Sequence, residues 1–286
     1  MSEDCLRKAI QKDGEVTVSV IDATRLVQET MERIEAWPPA TIHLGQAMMG
    51  AVLLLAATDK QDTEKIALQW NVNGPFGNLY ADSTNIGHVR GTILQPQAPV
   101  QDLDAKLGNG NLQVRRVAQT TFTGLVPAVG DVGTDLVEYL DQSEQRSAGI
   151  NFTVKIGWRE NSGGGLPFVV EGAYGYLIDV LPQPTENEKR EVLRRWDGVM
   201  RSLGKISEWA IGKDPTRDMI RLILGEARPN EVMFQRVRFH CPCSKDRAER
   251  ALLLAAQTEG QVAQRDEEHV RCEFCGMIYN IQKRGN

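Results

Sequence analysis

The chain has 286 residues, of which 41% are hydrophobic and 25% are charged, and its formal net charge is −5 at pH 7. These proportions are ordinary for a globular protein, and the length suits one large domain or two unequal ones. The acidic balance argues against a chain that coats nucleic acid, so we expect no nucleic-acid partner.

The start of the chain and its longest apolar segment bear on where the protein works. The opening stretch, MSEDCLRKAIQKDGE, is charged throughout and lacks the apolar core of a secretion signal. The longest apolar run, residues 47–57, is about eleven residues, short of the ~20 that a membrane span needs. We therefore expect a cytoplasmic protein without a membrane partner, in a reducing compartment where disulfides rarely persist.

Residues 1–182 predict a sheet-rich α+β domain with packed helices. Residues 15–21 alternate apolar and polar side chains, as a half-buried strand does. A helix is expected from residue 22 or 24 to residue 35, ended by Trp37-Pro38-Pro39, and a buried helix over 41–58. The remaining expected elements are strands at 65–72, 78–83, 88–94, 110–124, 149–158 and 167–181, a helix at 134–146 and a hairpin tip at 161–165.

Residues 183–238 predict a helical linker, and residues 185–226 within it carry no strand signal. Thr185 and Glu188 form a capping-box pattern before the charged helix 186–203, and Asp214-Pro215 is typical of the start of a second helix. An apolar stripe with helical spacing indicates a docked face; it consists of Met200, Leu203, Ile206, Trp209 and Ala210.

Residues 239–286 hold four of the five cysteines and predict a small zinc-binding module. The cysteines form a C-x-C pair and a C-x-x-C pair: Cys241, Cys243, Cys272 and Cys275. Zinc takes four thiolates in a tetrahedron, and two short pairs can each chelate it from one loop. Gly276 follows the second pair, where a tight turn often needs a positive φ. A disulfide staple and a redox catalyst remain as alternatives to a structural metal site or a switch.

The size of this module gives its metal an energetic role. Fewer than fifty residues bury too little surface to be comfortably stable alone, whereas structural zinc contributes ~10–16 kcal/mol of binding free energy. The paired spacing also permits local disulfides, and a disulfide sulfur is a poor zinc ligand. The residues alone thus permit a reversible switch, folded with zinc when reduced and locally unfolded when oxidised, without saying what it controls.

Other reactive side chains favour structural interpretations. We expect His240 and His269, beside the cysteine pairs, to be ordinary surface residues, because four thiols already complete a tetrahedron. Cys5 lies near a terminus that we expect to be frayed, and is interpreted as a bystander thiol. His43 and His88 are single histidines in apolar or strand contexts. Without a paired-carboxylate or Ser/His/Asp pattern, we do not expect an enzyme.

Five segments of the chain, 73–91, 138–145, 174–182, 241–244 and 272–279, together resemble the heat shock protein 33 family, the redox-regulated chaperones also called 33 kDa chaperonins. The C-x-C-S at 241–244 and the C-x-x-C-G-x-x-Y at 272–279 are similar to that family's cysteine motifs. NGPFGNLYADSTNIGHVRG (73–91) is similar to its Gly-Pro turn and V-R-G strand. EYLDQSEQ (138–145) resembles its S-E-Q helix end, and YGYLIDVLP (174–182) resembles its G-G-Y-L-I-Q-x-L-P segment.

The resemblance implies an ATP-independent holdase that is inactive when reduced, with one zinc ion per chain on the four cysteines. Oxidation would form Cys241–Cys243 and Cys272–Cys275 disulfides, release zinc, and unfold the module and the linker. The newly exposed surface would then bind unfolding client proteins under oxidative stress. The family also implies homodimers, especially when oxidised.

The chain departs from the family pattern at three positions. Tyr174 stands where the family usually has the first Gly of a pair, Asp179 where it has Gln, and Thr92 where an aromatic residue is common. All three lie in the first domain, so we expect them to affect turn geometry or the client surface rather than the zinc site.

Two other functions fit parts of the sequence. A thiol-disulfide oxidoreductase would use the C-x-x-C dithiol, but needs an accessible low-pKa cysteine, commonly at a helix N-terminus, whereas Cys272 follows a strand-like HVR. A zinc-ribbon module would bind nucleic acid or another protein, and the nearly balanced charge of residues 236–286 disfavours nucleic acid.

Overall fold

Two β-sheets organise the chain, and the first draws strands from both ends of the sequence. The structure, a computed structural model, describes residues 3–58, 63–160, 165–206, 209, 212–259 and 267–282. Sheet A has the strand order β10-β1-β2-β9-β8, and each neighbouring pair is antiparallel. Its strands are β1 (Cys5–Ile10), β2 (Val16–Asp22), β8 (Ala148–Trp158), β9 (Phe168–Val180) and β10 (Asn230–Arg236).

Sheet B has the order β11-β5-β4-β3-β6-β7. Only its edge pair, β11 with β5, is parallel; the other pairs are antiparallel. Its strands are β3 (Lys65–Val72), β4 (Leu79–Thr84), β5 (His88–Ile93), β6 (Gly110–Val117), β7 (Thr121–Ala128) and the two-residue β11 (Arg238–Phe239).

The main core lies around one apolar helix that packs against both sheets. Helices α1 (Thr24–Ile34), α2 (Pro38–Ala57) and α3 (Val132–Glu144) contribute to it, and α2 contacts strands of sheet A and sheet B. By length and composition α2 could cross a membrane, but most of its apolar window is buried inside the fold. It therefore has the environment of a core helix, as the sequence predicts.

A second core covers the other face of sheet A. Helices α4 (Glu186–Leu203) and α5 (Pro215–Leu224) pack there. Val16, Val18 and Val20 of β2 belong to this core, with Trp196 of α4. Strand β2 is therefore buried along its whole length and not half-buried, because the linker helices cover the face that its valines form.

The predicted linker caps are confirmed. The Thr185 hydroxyl accepts a hydrogen bond from the Glu188 N–H, and Asp214 accepts one from the Arg217 N–H. The described members of the apolar stripe all pack in the second core; they are Met200, Leu203, Ile206 and Trp209. Ala210 lies outside the described residues.

The C-terminal module, residues 239–282, contains one helix and one hairpin in the part that the structure describes. Helix α6 (Lys245–Glu259) precedes the antiparallel pair β12 (Glu267–Arg271) and β13 (Ile278–Gln282). These elements complete a mixed α+β fold, as the sequence predicts.

Some elements differ from the sequence predictions. Strands β1 and β10 were not expected, and the predicted frayed terminus is instead a strand inside sheet A. The single strand predicted over 110–124 is a pair, β6 and β7. Helix α2 begins earlier, at Pro38, because a proline suits the first helical turn. Most of the predicted hairpin tip, residues 161–164, lies outside the described residues.

Candidate metal centre

Two tight loops bring the four C-terminal thiols together. Cys241 and Cys243 follow β11, while Cys272 and Cys275 lie in the turn between β12 and β13. The Cys272 N–H donates to the Met277 carbonyl at 2.8 Å, and the Gly276 N–H donates to the Cys272 carbonyl at 2.9 Å. These bonds close the second loop around its two sulfurs, and Gly276 adopts the positive φ, +70°, that the sequence predicts.

The sulfur positions fit a tetrahedral metal ion. All four Sγ atoms lie within 4.8 Å of one another, and all four thiols are free. Cys241 Sγ is 3.7 Å from Cys272 Sγ, and Cys243 Sγ is 3.3 Å from Cys275 Sγ. Zinc–sulfur bonds of ~2.3 Å in a tetrahedron require sulfur–sulfur distances of about 3.8 Å. The four cysteines are therefore positioned to hold one metal ion.

The environment of the four sulfurs is uneven. Burial raises the pKa of Cys241 and of Cys275. Burial also acts to raise the pKa of Cys243, but hydrogen bonds from the Tyr279 hydroxyl, at 3.0 Å, and from neighbouring thiols outweigh it and lower that pKa. The same bond raises the pKa of Tyr279 to about 12. Of the thiols whose pKa is shifted, Cys243 is the one whose pKa is lowered.

The match to known proteins extends over nearly the whole chain. Residues 4–282 match the family model described as Hsp33 protein. The chain belongs to the Hsp33 family. A 33 kDa chaperonin of Shouchella clausii is 30% identical, covering 98% of this chain and 94% of that protein. A 33 kDa chaperonin of Symbiobacterium thermophilum is also 30% identical, covering 97% and 94%.

A solved structure shares the Hsp33 fold. The crystal structure of a 33 kDa chaperonin, heat shock protein 33 homologue, from Thermotoga maritima superposes with a TM-score of 0.80 at 24% identity. The match covers 98% of this chain and 95% of that one. The relatives' shared name, chaperonin, agrees with the expectation that the chain is not an enzyme.

In this Hsp33 chain the module docks on sheet B through side chains that the sequence analysis did not select. Arg90 of β5 stacks its guanidinium 4.0 Å from the centroid of the Phe274 ring. The Tyr80 ring meets the same phenyl edge-on, with centroids 5.6 Å apart. The Thr92 hydroxyl donates to the Glu273 carbonyl at 3.0 Å. Thr92, one of the three departures from the family pattern, therefore contacts the loop between Cys272 and Cys275. We had expected it to affect the first domain and not the zinc site.

The end of helix α1 forms the other side of the docking site. The Arg33 guanidinium lies 4.7 Å from the centroid of Phe239, and Arg271 pairs with Glu35 at 3.5 Å. Gly276 packs so closely that an added Cβ would lie 2.4 Å from the Arg33 carbonyl oxygen. Among the docking residues, the sequence offered a signal at Arg90, through the family's V-R-G motif, at Thr92, as a departure from that motif, and at Gly276.

The remaining histidines and Cys5 lie outside the four-thiol cluster. His43 Nε2 bonds the Ala105 carbonyl, and the His269 ring bonds the Asn280 amide oxygen. His88 and His240 stack on each other with centroids 4.1 Å apart. Cys5 is buried in β1, with its sulfur 3.6 Å from the Thr216 hydroxyl.

The other two departures from the family pattern lie in β9. Asp179 is buried and forms an ion pair with Arg146, which also donates to the Ala57 carbonyl. Tyr174 packs against the second core. Asp179 is therefore part of a buried ion pair, and Tyr174 is part of the second core.

Proposed function

We propose that this chain is a redox-regulated, ATP-independent chaperone, a holdase whose switch is the four-thiol module. The observation that carries the proposal is the coincidence of a metal-ready thiol cluster with a module in which few of the described side chains are buried. Of the described residues from 239 onward, the buried apolar side chains are Ala248 and Ile281. Leu253, Leu254 and Ile278 are each more than 60% exposed.

In the reduced state, the four cysteines hold one zinc ion. The ion cross-links the two cysteine loops and so stabilises a module in which few of the described side chains are buried. The Tyr279 hydroxyl donates a hydrogen bond to Cys243, which favours the thiolate form of that ligand. Structural zinc contributes ~10–16 kcal/mol, comparable to the whole net stability of a typical domain. The module therefore stays folded and docked while its thiolates remain intact.

In the oxidised state, the cysteines form Cys241–Cys243 and Cys272–Cys275 disulfides. For each bond, two thiolates give two electrons to a peroxide, which takes up two protons and leaves as two water molecules. Cys272 lines a cleft of about 490 Å³ between the module and sheet B, which gives a small oxidant a path to the thiols. The disulfide sulfurs no longer serve as ligands, so the module loses its cross-link.

The linker connects this loss to client binding. Strand β11, which leads into Cys241, follows β10 after a single residue, and α5 precedes β10. When the module unfolds, the linker helices leave sheet A and expose the second core, including Tyr176, Ile178 and Trp196. Unfolding proteins also expose apolar segments, and binding them to this surface prevents aggregation without ATP.

The proposal keeps the predicted organisation. Residues 1–182 are the chaperone core, 183–238 the redox-sensitive linker and 239–286 the zinc-binding switch. We place the protein in the cytoplasm, and propose that the oxidised form is a homodimer.

An aggregation assay tests the proposal. We expect reduced, zinc-loaded protein to leave the light scattering of a thermally unfolding client unchanged, and peroxide-treated protein to suppress it. Zinc should be stoichiometric before oxidation and released after it. Cys5→Ser should behave as the parent does, because that thiol lies outside the cluster. Equal suppression by both redox forms would contradict the proposed switch.

The alternative, a thiol-disulfide oxidoreductase using the C-x-x-C dithiol, receives less support. Cys272 lies in a turn between two strands and not at a helix N-terminus, and burial raises the pKa of Cys275. Catalytic turnover in a disulfide-reduction assay would favour it.

A further inference from the structure

A cation from the chaperone core reaches the proposed metal ligands. Arg90, in the middle of β5, points its Nη1 atom at Cys241 Sγ over 3.9 Å. The Arg90 side chain is only 17% exposed. An N–H group that donates to a charged acceptor makes a stronger hydrogen bond than one to a neutral acceptor. The strength of this contact therefore depends on whether Cys241 is a thiolate.

Apart from its contacts with Cys241 and Phe274 of the module, Arg90 is held by an ion pair within sheet B. Its Nε atom pairs with Asp82 at 3.0 Å, and that carboxylate is 5% exposed. Asp82 in turn accepts from the Tyr80 hydroxyl and from Lys65, each at 2.9 Å. The guanidinium is thus held in one orientation, with one face free to receive Phe274.

Backbone pairing brings Cys241 to this cation. Phe239 of β11 pairs with Val89 of β5, and the His240 N–H donates to the Val89 carbonyl at 3.0 Å. Cys241 is the next residue, and so lies beside Arg90. Cys241 directly follows His240, and Arg90 directly follows Val89. Because His240 and Val89 are hydrogen-bonded, the distance between Cys241 and Arg90 can vary little.

The charge of the metal centre changes between the two redox forms. Four thiolates around a divalent ion leave a net charge of about −2, which a neighbouring guanidinium stabilises. Two disulfides carry no charge. Arg90 therefore attracts the module in the first form and loses most of that attraction in the second.

We propose that Arg90 is the positioning residue through which the chaperone core senses the redox state of the metal centre: its charge holds the module on sheet B more tightly while Cys241 is a thiolate than after Cys241 has formed a disulfide. This inference rests on the proposed function, since it assumes the zinc-loaded and disulfide forms. It adds that oxidation releases the module from the core by removing a charge, as well as by removing the cross-link.

Amide hydrogen exchange of the reduced, zinc-loaded full chain tests this inference. In Arg90→Met, which removes the charge but keeps an unbranched side chain, we expect exchange in β5 and in residues 272–277 to rise about tenfold. Zinc should remain stoichiometric, because the four ligands are intact. Arg90→Lys retains a cation and should keep exchange much closer to that of the parent.

Tyr279→Phe is the matched control. It also removes a donor to a ligand sulfur, but this donor belongs to the module itself. We expect it to change the competition of a chromophoric chelator for zinc while β5 keeps its protection. Arg90→Met should instead lower the protection of β5 and leave the competition of the chelator for zinc unchanged.

The outcomes separate this inference from the function on which it rests. If oxidation exposes β5 in the parent chain but reduced Arg90→Met keeps full protection, the role of Arg90 is wrong and the switch stands. If Arg90→Lys exchanges as fast as Arg90→Met, charge is not what is sensed and the inference is overturned. If the parent holds no zinc or does not respond to oxidation, the proposed function and this inference fall together.

Discussion

Gly276 shows how one residue can serve both a loop and an interface. Its φ of +70° lets its N–H bond the Cys272 carbonyl and close the C-x-x-C turn. The sequence position alone indicated this role. The structure adds that the missing side chain lets the module approach the Arg33 carbonyl at the end of α1.

We predict that Gly276→Ala destabilises the docked module by more than the cost of placing an alanine at a positive φ. A left-handed conformation costs an L-residue about 1–2 kcal/mol, and the new methyl group would also collide with a backbone oxygen. The measurement is local opening free energy from hydrogen exchange in residues 271–278. Gly225→Ala is the control, since its φ is +66° and an added Cβ meets nothing within 4 Å. If the local opening free energy falls as much around residue 225 in Gly225→Ala as it does around residue 276 in Gly276→Ala, the Arg33 contact contributes nothing.

At the scale of elements, helix α1 obtains its N-terminal cap from a distant residue. Its N-cap is Ala23, which offers no side-chain acceptor. Asp4 instead accepts hydrogen bonds from the N–H groups of Arg25 at 3.1 Å and Leu26 at 2.6 Å. Burial, with a smaller contribution from the nearby Asp22 carboxylate, raises the pKa of Asp4 to about 6.

This carboxyl predicts a pH-dependent stability. Because the pKa of Asp4 is higher in the folded chain than its ordinary 3.8, the folded state binds the proton more tightly. Its contribution to the free energy of unfolding is greatest below about pH 4 and is lost as the pH rises through about 6, by about 3 kcal/mol. Relative to the parent, Asp4→Asn should therefore gain stability between about pH 4 and about pH 7.

Urea unfolding of both variants at the two pH values checks this prediction. Metal loss at low pH affects both variants alike, so the difference between them isolates Asp4. A parent–variant difference that does not change with pH would show that Asp4 titrates as it does in the unfolded chain.

The elements that the sequence predicted share a property. They carry local signals, such as the alternation in β2, the capping box of α4 and the Asp-Pro start of α5. Strand β10 was missed because it pairs with β1 across more than two hundred residues, Cys5 with Arg236 for example, and several of its side chains remain exposed. Such pairing follows from the fold, not from the pattern of either strand.

For the whole molecule, stability is distributed unequally. Two cores lie on opposite faces of sheet A, whereas few of the module's described side chains are buried, and the module depends on its thiols and docking contacts. The parts of the chain should therefore respond differently when the cross-link is removed.

We predict that a strong chelator at neutral pH under reducing conditions unfolds residues 239–282 while the main core persists. Hydrogen exchange should rise to unfolded rates in β12 and β13, with strong protection retained in β3, β4 and β6. Cys243→Ser should show the same pattern without chelator, and Cys5→Ser should match the parent. Cooperative loss of all protection would show that module and core form one unit.

By itself, the sequence determined the α+β class, the apolar core helix, the capped linker helices and the four thiols, because local spacing and side-chain chemistry specify each of them. It also carried the family motifs that the full-length match confirms. Only the tertiary structure decided which face each element covers. The valines of β2 face the linker helices, Thr92 and Arg90 face the module, and Asp4 caps a helix twenty residues away. These contacts join residues far apart in the chain, so they exist only once the sheets are assembled.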